Sequence, residues 1–304
     1  MRTRRTSRVV VATSGSAASQ AAITFAAGEA ASRGLPLEVV HVVPPTMPAG
    51  PYVAAPDVAV RKTGREVLSH GESLAHQTVP RLDVSTTLLI GSRADAVVQH
   101  AEGADLLVVG APPHGLFERL WTGSTVYGVA ARASCPVAVV PPGPQPPAAH
   151  EILVGLKTTR HAGHLLSLAF SVARQRQCDL RIVHAWHVAS PYDEAMAERE
   201  PEPEWVRDQV RAIDGLLIDL RMAYPEVRVE VEVVHSQPAF ALVTGSKGAD
   251  LLVVSRPAHG GFVHYLGATA HAVLRESACT VLVVPPVDEV QEVEHVSKES
   301  VLLP

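Results

Sequence analysis

The stretch Ala-Asp-Leu-Leu-Val-Val occurs at residues 104–109 and returns, letter for letter, at residues 249–254, which is a displacement of 145 residues. A second match keeps nearly the same register, because Val40-His41 aligns with Val183-His184 at a displacement of 143. Displacements that drift by one or two residues indicate small loop insertions in a duplicated unit. A unit of this length buries its own core, unlike the short repeats of solenoids. The sequence therefore predicts two complete domains.

The composition limits the classes of function. The chain has 304 residues, of which 47% are hydrophobic and only 4% aromatic, and its net charge is -5. Such a composition suits Val/Leu/Ala-rich α/β layers, whereas nucleic-acid binding would favour a basic surface. No apolar run reaches the roughly 18 residues of a membrane span, and the apolar stretch after the basic start covers only 9–12. We therefore expect a cytoplasmic protein that binds neither nucleic acid nor membranes.

The cysteines and histidines predict no metal site. Cys135 and Cys279 precede apolar runs at equivalent positions in the two halves, and no CxxC pair exists among the three cysteines. Among the fifteen histidines, the close pairs lack a converging third ligand of the kind that zinc requires. We expect the cysteines to act as small buried hydrophobic residues.

Each half alternates short β-branched runs with longer Ala-rich segments of helical period, which is typical of βαβ units on a parallel sheet. Strands are predicted near 8–13, 36–43, 82–90, 105–110 and 136–141, and again near 151–156, 179–186, 226–234, 249–255 and 279–284. Helices are predicted near 17–33, 57–79, 93–102 and 123–133, and again near 160–176, 203–224, 237–246 and 267–277.

A proline-rich segment separates the two halves, since proline stiffens the chain and lacks a backbone donor. The sequence predicts a first domain at 1–142, a linker at 143–149 and a second domain at 150–286. Residues 287–304 form an acidic tail that carries no strand or turn signal.

Motifs at the strand ends carry a resemblance to a known family. After the fourth strand, Gly110 is followed by Gly123-Ser124, which resembles the G-x2-G-x9-G-(S/T) loop of universal stress proteins. Residues 9–16 resemble that family's V-G-V-D-G-S opening, and residues 37–42 resemble its second strand. The resemblance covers essentially the whole chain in two copies. It implies two flavodoxin-like, adenine nucleotide α-hydrolase-like α/β domains, each with a five-stranded parallel sheet of order 3-2-1-4-5.

The resemblance also implies a ligand site, because some members of the family hold ATP in the crevice at the carboxyl ends of the strands. A glycine-rich turn lets backbone N–H groups approach phosphate, and the next helix N-terminus adds partial positive charge. The candidate nucleotide-binding residues are Ser14, Ser16, Val42, Gly110, Gly123, Ser124 and Thr125. Ser14 and Ser16 have an alternative role as caps of the first helix, and the glycines an alternative role in forming the turn.

The two halves depart from the motif to different extents. The family's aspartate after strand one is Ser14 in the first half and Lys157 in the second, and Pro113 replaces a loop glycine. In the second half, Ser255 replaces the first loop glycine and Ala268 replaces the hydroxyl after the last one. We therefore expect ATP, or another adenine nucleotide, to bind weakly and in the first domain only.

Two functions from different classes fit the sequence. The first is a non-enzymatic stress-response sensor or binding module that acts on an unidentified downstream protein partner. The alternative is an adenine-nucleotide hydrolase or adenylating enzyme, since residues 14–19 faintly resemble the SGGxDS turn of adenylating enzymes, although Ala18 replaces its acidic residue. Because no nucleophile–base pair is recognisable, the sequence favours the non-enzymatic module, with no catalytic residues.

The fifth strand of each half predicts how the halves associate. Val137–Val140 and Val281–Val284 are short and apolar, and the implied strand order puts both at a sheet edge, where unpaired strands invite association. We expect an internal pseudo-dimer with Val139 and Val283 in the interface between the halves.

Overall fold

The computed structural model describes residues 7–45, 58–111, 123–143, 149–159, 162–187, 204–257 and 266–286. Most of the predicted linker and the whole predicted acidic tail lie outside these described residues.

The described part of the first half alternates strands and helices in the predicted order: β1 (Val9–Ala12), α1 (Ala17–Arg33), β2 (Leu37–Val43), α2 (Val58–Thr78), β3 (Val84–Ile90), α3 (Arg93–His100), β4 (Leu106–Gly110), α4 (Gly123–Arg132) and β5 (Val137–Val140). The described part of the second half repeats that order: β6 (Glu151–Gly155), α5 (Gly163–Arg176), β7 (Asp179–Trp186), α6 (Glu204–Ala223), β8 (Val229–His235), α7 (Pro238–Gly245), a short 3-10 turn (Ser246–Gly248), β9 (Leu251–Ser255), α8 (Ala268–Glu276) and β10 (Thr280–Val284).

All ten strands belong to one sheet, whose order is β3-β2-β1-β4-β5-β10-β9-β6-β7-β8. Within each half the strands are parallel and follow the order 3-2-1-4-5. The predicted fold class, two five-stranded flavodoxin-like domains, is thereby confirmed.

The halves join through antiparallel pairing of β5 with β10. Val139 lies opposite Val281, and Val283 lies opposite Val137. Each of these strands would otherwise be an exposed apolar edge, and the pairing satisfies both edges within one chain. The two domains thus form one shared sheet, as an intramolecular pseudo-dimer requires.

Two apolar cores cover the sheet, one on each face, and both run across the junction. Helices α1, α2, α5 and α6 pack on one face, where Phe170 and Ile213 are fully buried. Helices α3, α4, α7 and α8 pack on the other face, where Leu107 and Leu252 are fully buried. Each such side chain contributes about 1.5–3 kcal/mol, which explains why the strands are apolar on both faces.

The repeated aspartate of the Ala-Asp-Leu-Leu-Val-Val stretch has a structural role. Asp105 Oδ2 accepts a hydrogen bond from the backbone N–H of Arg8 at 3.0 Å, just before β1. Asp250 accepts from the N–H groups of Ala149, at 2.6 Å, and His150, at 3.0 Å, just before β6. Each aspartate therefore fixes the chain where it enters the first strand of its domain.

All three cysteines are buried and carry free thiols, as the sequence predicted. Burial raises the pKa of Cys135 to about 11 and that of Cys279 to about 12. Because the thiolate is the reactive form, these two residues are poor nucleophiles. Within the described ranges, no helix is both long enough and apolar enough to cross a membrane.

Candidate functional site

The candidate site lies at the carboxyl edge of the first domain's strands. Ala12, the last residue of β1, pairs with Val40 of β2 and with Val109 of β4. This register brings the ends of three adjacent strands together, where parallel α/β sheets bind their ligands. Ser14 and Gly110 therefore lie at the same edge.

Four hydroxyl side chains cluster where β1 leads into α1. The Ser19 hydroxyl donates to the Ser16 carbonyl at 2.8 Å, and Thr13 Oγ1 lies 3.2 Å from Ser19 Oγ. The Gly15 N–H donates to Thr13 Oγ1 at 3.2 Å. Ser14 Oγ lies exposed, 3.0 Å from Ser16 Oγ. The cluster fixes the turn and leaves Ser14 at its solvent side.

Ser16 caps helix α1, which is the alternative role that the sequence left open. Its backbone is extended, at φ -80° and ψ 163°, and its side chain accepts from the N–H of Ser19 at 3.4 Å. A serine in this place satisfies one of the free donors of the first helical turn. The remaining N–H groups of that turn face the edge where the candidate site lies.

Two glycines are required by the backbone at this edge. Gly15 has φ +79°, in the left-handed region that glycine enters without strain. A Cβ on Gly110 would lie only 2.4 Å from the carbonyl oxygen of Ala18 in the first turn of α1. Packing of strand against helix therefore explains Gly110 without any ligand.

The other candidates lie on α4 and β2. Gly123, Ser124 and Thr125 form the start of α4, whose N-terminus emerges on the carboxyl side of β4 and adds partial positive charge there. Thr125 is half-buried. The Val42 side chain is buried in the core under α3 and α4, so any contact with a ligand would fall to its backbone. The connecting loop, including Pro113, lies outside the described residues.

Sequence reasoning missed a histidine at this edge. His41 Nδ1 lies 2.8 Å from the carbonyl oxygen of Thr13, and since a carbonyl only accepts, Nδ1 carries the proton. His184 makes the equivalent contact in the second domain, at 2.9 Å from the carbonyl oxygen of Leu156. The repeated Val-His pair was the available signal, because both histidines tie strand two to the end of strand one.

The corresponding edge of the second domain has different chemistry. Leu156 and the exposed Lys157 replace Thr13 and Ser14. Helix α5 begins at Gly163, and its N-cap residue Ala162 makes no side-chain cap. The described residues equivalent to Thr13 and Ser14 therefore carry no hydroxyl group in the second domain.

Comparison with known proteins agrees with this geometry. The profile of the Universal stress protein family matches residues 6–141 and again 149–285. Universal stress protein Rv2005c of Mycobacterium tuberculosis is 32% identical over 294 residues, covering 90% of this chain and 96% of that protein. A universal stress protein of Mycolicibacterium smegmatis is 29% identical over 289 residues, covering 91% and 97%.

A solved structure shows the same fold. The crystal structure of a universal stress protein from Archaeoglobus fulgidus superposes with a TM-score of 0.66 at 17% identity, covering 93% of this chain and all of that chain. The chain belongs to the universal stress protein family, and it carries two of the family's domains in tandem.

Proposed function

We propose that this protein is a non-enzymatic stress-response module whose first domain, residues 1–142, binds an adenine nucleotide, with ATP as the first candidate. The second domain, 150–286, serves as its pairing partner and holds no nucleotide. The observation that carries this proposal is the difference between the two carboxyl edges within one family fold. The first edge has a hydroxyl-capped helix start beside a glycine-led α4, whereas the second has Lys157 and an alanine, Ala162, as the N-cap residue of α5.

The proposed contacts divide between the two helix starts. The phosphates would approach the N-termini of α1 and α4, where backbone donors and the helix dipole favour negative charge. Ser14, Ser16, Ser124 and Thr125 would supply hydroxyl groups, and Gly123 would let the backbone come close. Gly110 would act indirectly, by allowing α1 to pack close to β4.

The proposed binding is weak. Ser14 stands where the family's motif has an aspartate, and a hydrogen bond to an ionised group is worth about 1.5–3 kcal/mol. That loss corresponds to a factor of about ten or more in the dissociation constant. Pro113 also lacks the N–H that a glycine would offer to phosphate.

The hydrogen bonds at the edge favour binding over catalysis. A serine nucleophile needs a neighbouring base that takes its proton. Among the described residues of this edge, the hydroxyls of Thr13, Ser16 and Ser19 bond to one another or to backbone, and His41 bonds to a carbonyl. This pattern supports a module that holds a ligand without turning it over.

Two measurements test the proposal against the enzymatic alternative. Mass spectrometry of the ligand released from freshly purified protein should identify an adenine nucleotide. The wild-type protein and the Gly123→Asp variant are each incubated with ATP. In the variant a carboxylate would occupy the proposed phosphate position. The wild-type protein should release phosphate or pyrophosphate no faster than the variant. A turnover rate that this substitution abolishes would instead establish the hydrolase or adenylating enzyme.

A further inference from the structure

Three side chains with metal-binding atoms meet at the other end of the second domain. His150 precedes β6, Cys178 precedes β7, and Asp250 precedes β9. These strands are neighbours in the order β9-β6-β7 and run parallel, so their starting residues share the amino edge of the sheet. This edge lies opposite the second domain's own carboxyl edge, and because β5 pairs antiparallel with β10 it is on the same side of the shared sheet as the first domain's carboxyl edge. The proposed function uses none of the three residues.

The distances within this group suit a small cation. One ligand atom from each residue can be chosen so that all lie within 4.8 Å of one another. Cys178 Sγ lies 3.7 Å from Asp250 Oδ2. Zinc bonds of about 2.0–2.3 Å in a tetrahedron place neighbouring ligand atoms roughly 3.3–3.8 Å apart. The exposed imidazole of His150 can close the remaining gap by rotating about its side-chain bonds.

The carboxylate of the group is already held in place. Asp250 accepts one backbone hydrogen bond on each oxygen, from Ala149 at 2.6 Å and from His150 at 3.0 Å. Oδ2 also accepts a hydrogen bond from the Cys178 thiol at 3.7 Å, and this bond is lost when the thiol gives up its proton to bind a metal. Oδ1 keeps a second lone pair for another partner. Hydrogen bonds of this kind orient a ligating carboxylate and strengthen a metal site.

The duplication provides an internal comparison. Asp250 has a counterpart in Asp105, which anchors the first strand of its own domain. Cys178 and His150 correspond in position to Leu35 and Ser7 of the first domain, which have no such ligand atoms. His150 also has φ +54°, a left-handed conformation that costs a residue with a Cβ about 1 kcal/mol. Thus the second domain adds a thiol and an imidazole to an aspartate that both domains share.

We propose that His150, Cys178 and Asp250 bind one zinc ion, with water as the fourth ligand. A thiolate combined with an imidazole favours zinc over magnesium or calcium. The Cys178 thiol releases its proton to solvent as the Zn–S bond forms, and the neutral imidazole and the carboxylate bind without a change of charge. The ion joins the end of the interdomain linker to the starts of two further strands, so it braces the second domain where the chain enters it.

Cobalt(II) titration of the full-length apo protein tests this proposal, because a Co–thiolate bond gives a near-ultraviolet charge-transfer band and tetrahedral Co(II) absorbs strongly in the visible. We expect both features to saturate at one equivalent and to disappear when zinc is added. The Cys178→Ala variant should lose the charge-transfer band. The matched control Cys279→Ala, which removes a buried thiol outside the group, should keep it.

His150→Asn provides a second arm, since asparagine tolerates a left-handed backbone and the side chain is exposed, so the fold should survive. This variant should bind zinc at least about tenfold more weakly in competition with a chromophoric chelator. Absence of the charge-transfer band in the wild-type chain, or unchanged zinc affinity in His150→Asn, would overturn the proposal.

Discussion

The ring of Tyr127 stacks on the ring of His271 across the junction of the two domains, with centroids 4.1 Å apart and planes inclined by 9°. These residues are equivalents in the duplicated sequence, because the displacement of 144 that relates Cys135 to Cys279 also relates Tyr127 to His271. A residue that meets its own counterpart lies on a pseudo-two-fold axis. The same axis passes through the centre of the β5–β10 pairing.

The opposite face of the sheet has polar contacts across the junction. Arg176 of α5 pairs with Glu29 of α1, and its guanidinium lies 5.3 Å from the centre of the Phe25 ring. Gln175 Nε2 donates to Ser32 Oγ at 2.7 Å. The junction is therefore held on both faces, as well as through the strands.

This symmetry predicts that the isolated first domain, residues 1–143, forms a homodimer. β5 would pair with a second β5 in the register seen here, and Tyr127 would stack on a second Tyr127. Arg33, the counterpart of Arg176, would reach the partner's Glu29. Sedimentation equilibrium should give twice the chain mass at micromolar concentration. A first domain that stays monomeric at high micromolar concentration would show that the junction depends on features of the second domain.

A charge pair is reversed between the two domains. Arg8 Nε lies 2.9 Å from Glu38 Oε2 in the first domain, and Arg181 Nη2 lies 2.9 Å from Glu151 Oε1 in the second. Arg8 and Glu151 are equivalent positions, as are Glu38 and Arg181, since each pair is displaced by 143. The positive and negative residues have therefore exchanged positions between the domains, and each domain keeps one ion pair at this place.

We predict that reversing both charges of the Arg8–Glu38 pair recovers part of the stability that is lost when only one charge is reversed. Arg8→Glu places two carboxylates together in a partly buried setting and should lower the free energy of unfolding by about 3 kcal/mol. Adding Glu38→Arg should recover part of that loss, because the double variant restores the ion pair but loses the hydrogen bonds that Thr87 and His100 make to Glu38. Urea unfolding of the two single variants and the double variant measures the coupling. Simple addition of the two single losses would mean that the pair does not interact.

The pH dependence of stability should report on Glu38. Burial alone would raise the pKa of this carboxyl, but hydrogen bonds from Thr87 and His100 and the charges of His100 and Arg8 outweigh burial and hold the pKa below its usual value. A lowered folded-state pKa stabilises the protein at pH values above the unfolded pKa, and this contribution is lost as the pH falls through the folded pKa.

Glu38→Gln should therefore destabilise the protein at neutral pH, and the difference from wild type should shrink as the solution is acidified below about pH 4.5. Unfolding curves at several pH values measure this difference. The control Glu102→Gln, at an exposed residue, should change stability little at any pH. A deficit for Glu38→Gln that stays constant down to pH 3 would contradict the assignment.

Gly110 and Gly28 form a matched pair for testing why the loop glycine is present. A Cβ at Gly110 would overlap the backbone of Ala18, whereas nothing lies within 4 Å of a Cβ at Gly28, in the exposed middle of α1. Gly110→Ala should cost about 1–3 kcal/mol through strain, and Gly28→Ala should add up to about 1 kcal/mol. Thermal unfolding of both variants without ligand measures these effects. A neutral effect of Gly110→Ala without ligand would contradict this packing role.

The sequence predicted the architecture well, because the strands and the repeat can be recognised from the residues and the resemblance to universal stress proteins implied the strand order. Short apolar runs marked the strands, the repeat marked two domains, and the apolar edge of Val137–Val140 predicted the shared sheet. The sequence could not predict which side chains from distant positions meet in the folded domain. His150, Cys178 and Asp250 are separated by up to 100 residues, and they meet only once β6 lies between β7 and β9.

The candidate site was only partly accessible from the sequence. Ser14, Ser16 and Gly110 do lie at the predicted edge, but the spacing of glycines could not reveal that α1 packs against Gly110. The roles of Thr13 and His41 depend on hydrogen bonds between strand ends. The nucleotide-binding roles of the candidate residues remain predictions; these are Ser14, Ser16, Val42, Gly110, Gly123, Ser124 and Thr125.

Titration calorimetry of the full chain with ATP tests most directly the central claim that only the first domain keeps a nucleotide site. We expect one site per chain, with a dissociation constant in the micromolar range or weaker. Gly123→Asp should abolish the heat of binding, while the matched Gly267→Asp change at the N-cap of α8 should leave it unchanged. Two equivalent sites per chain, or binding that survives Gly123→Asp, would contradict this account.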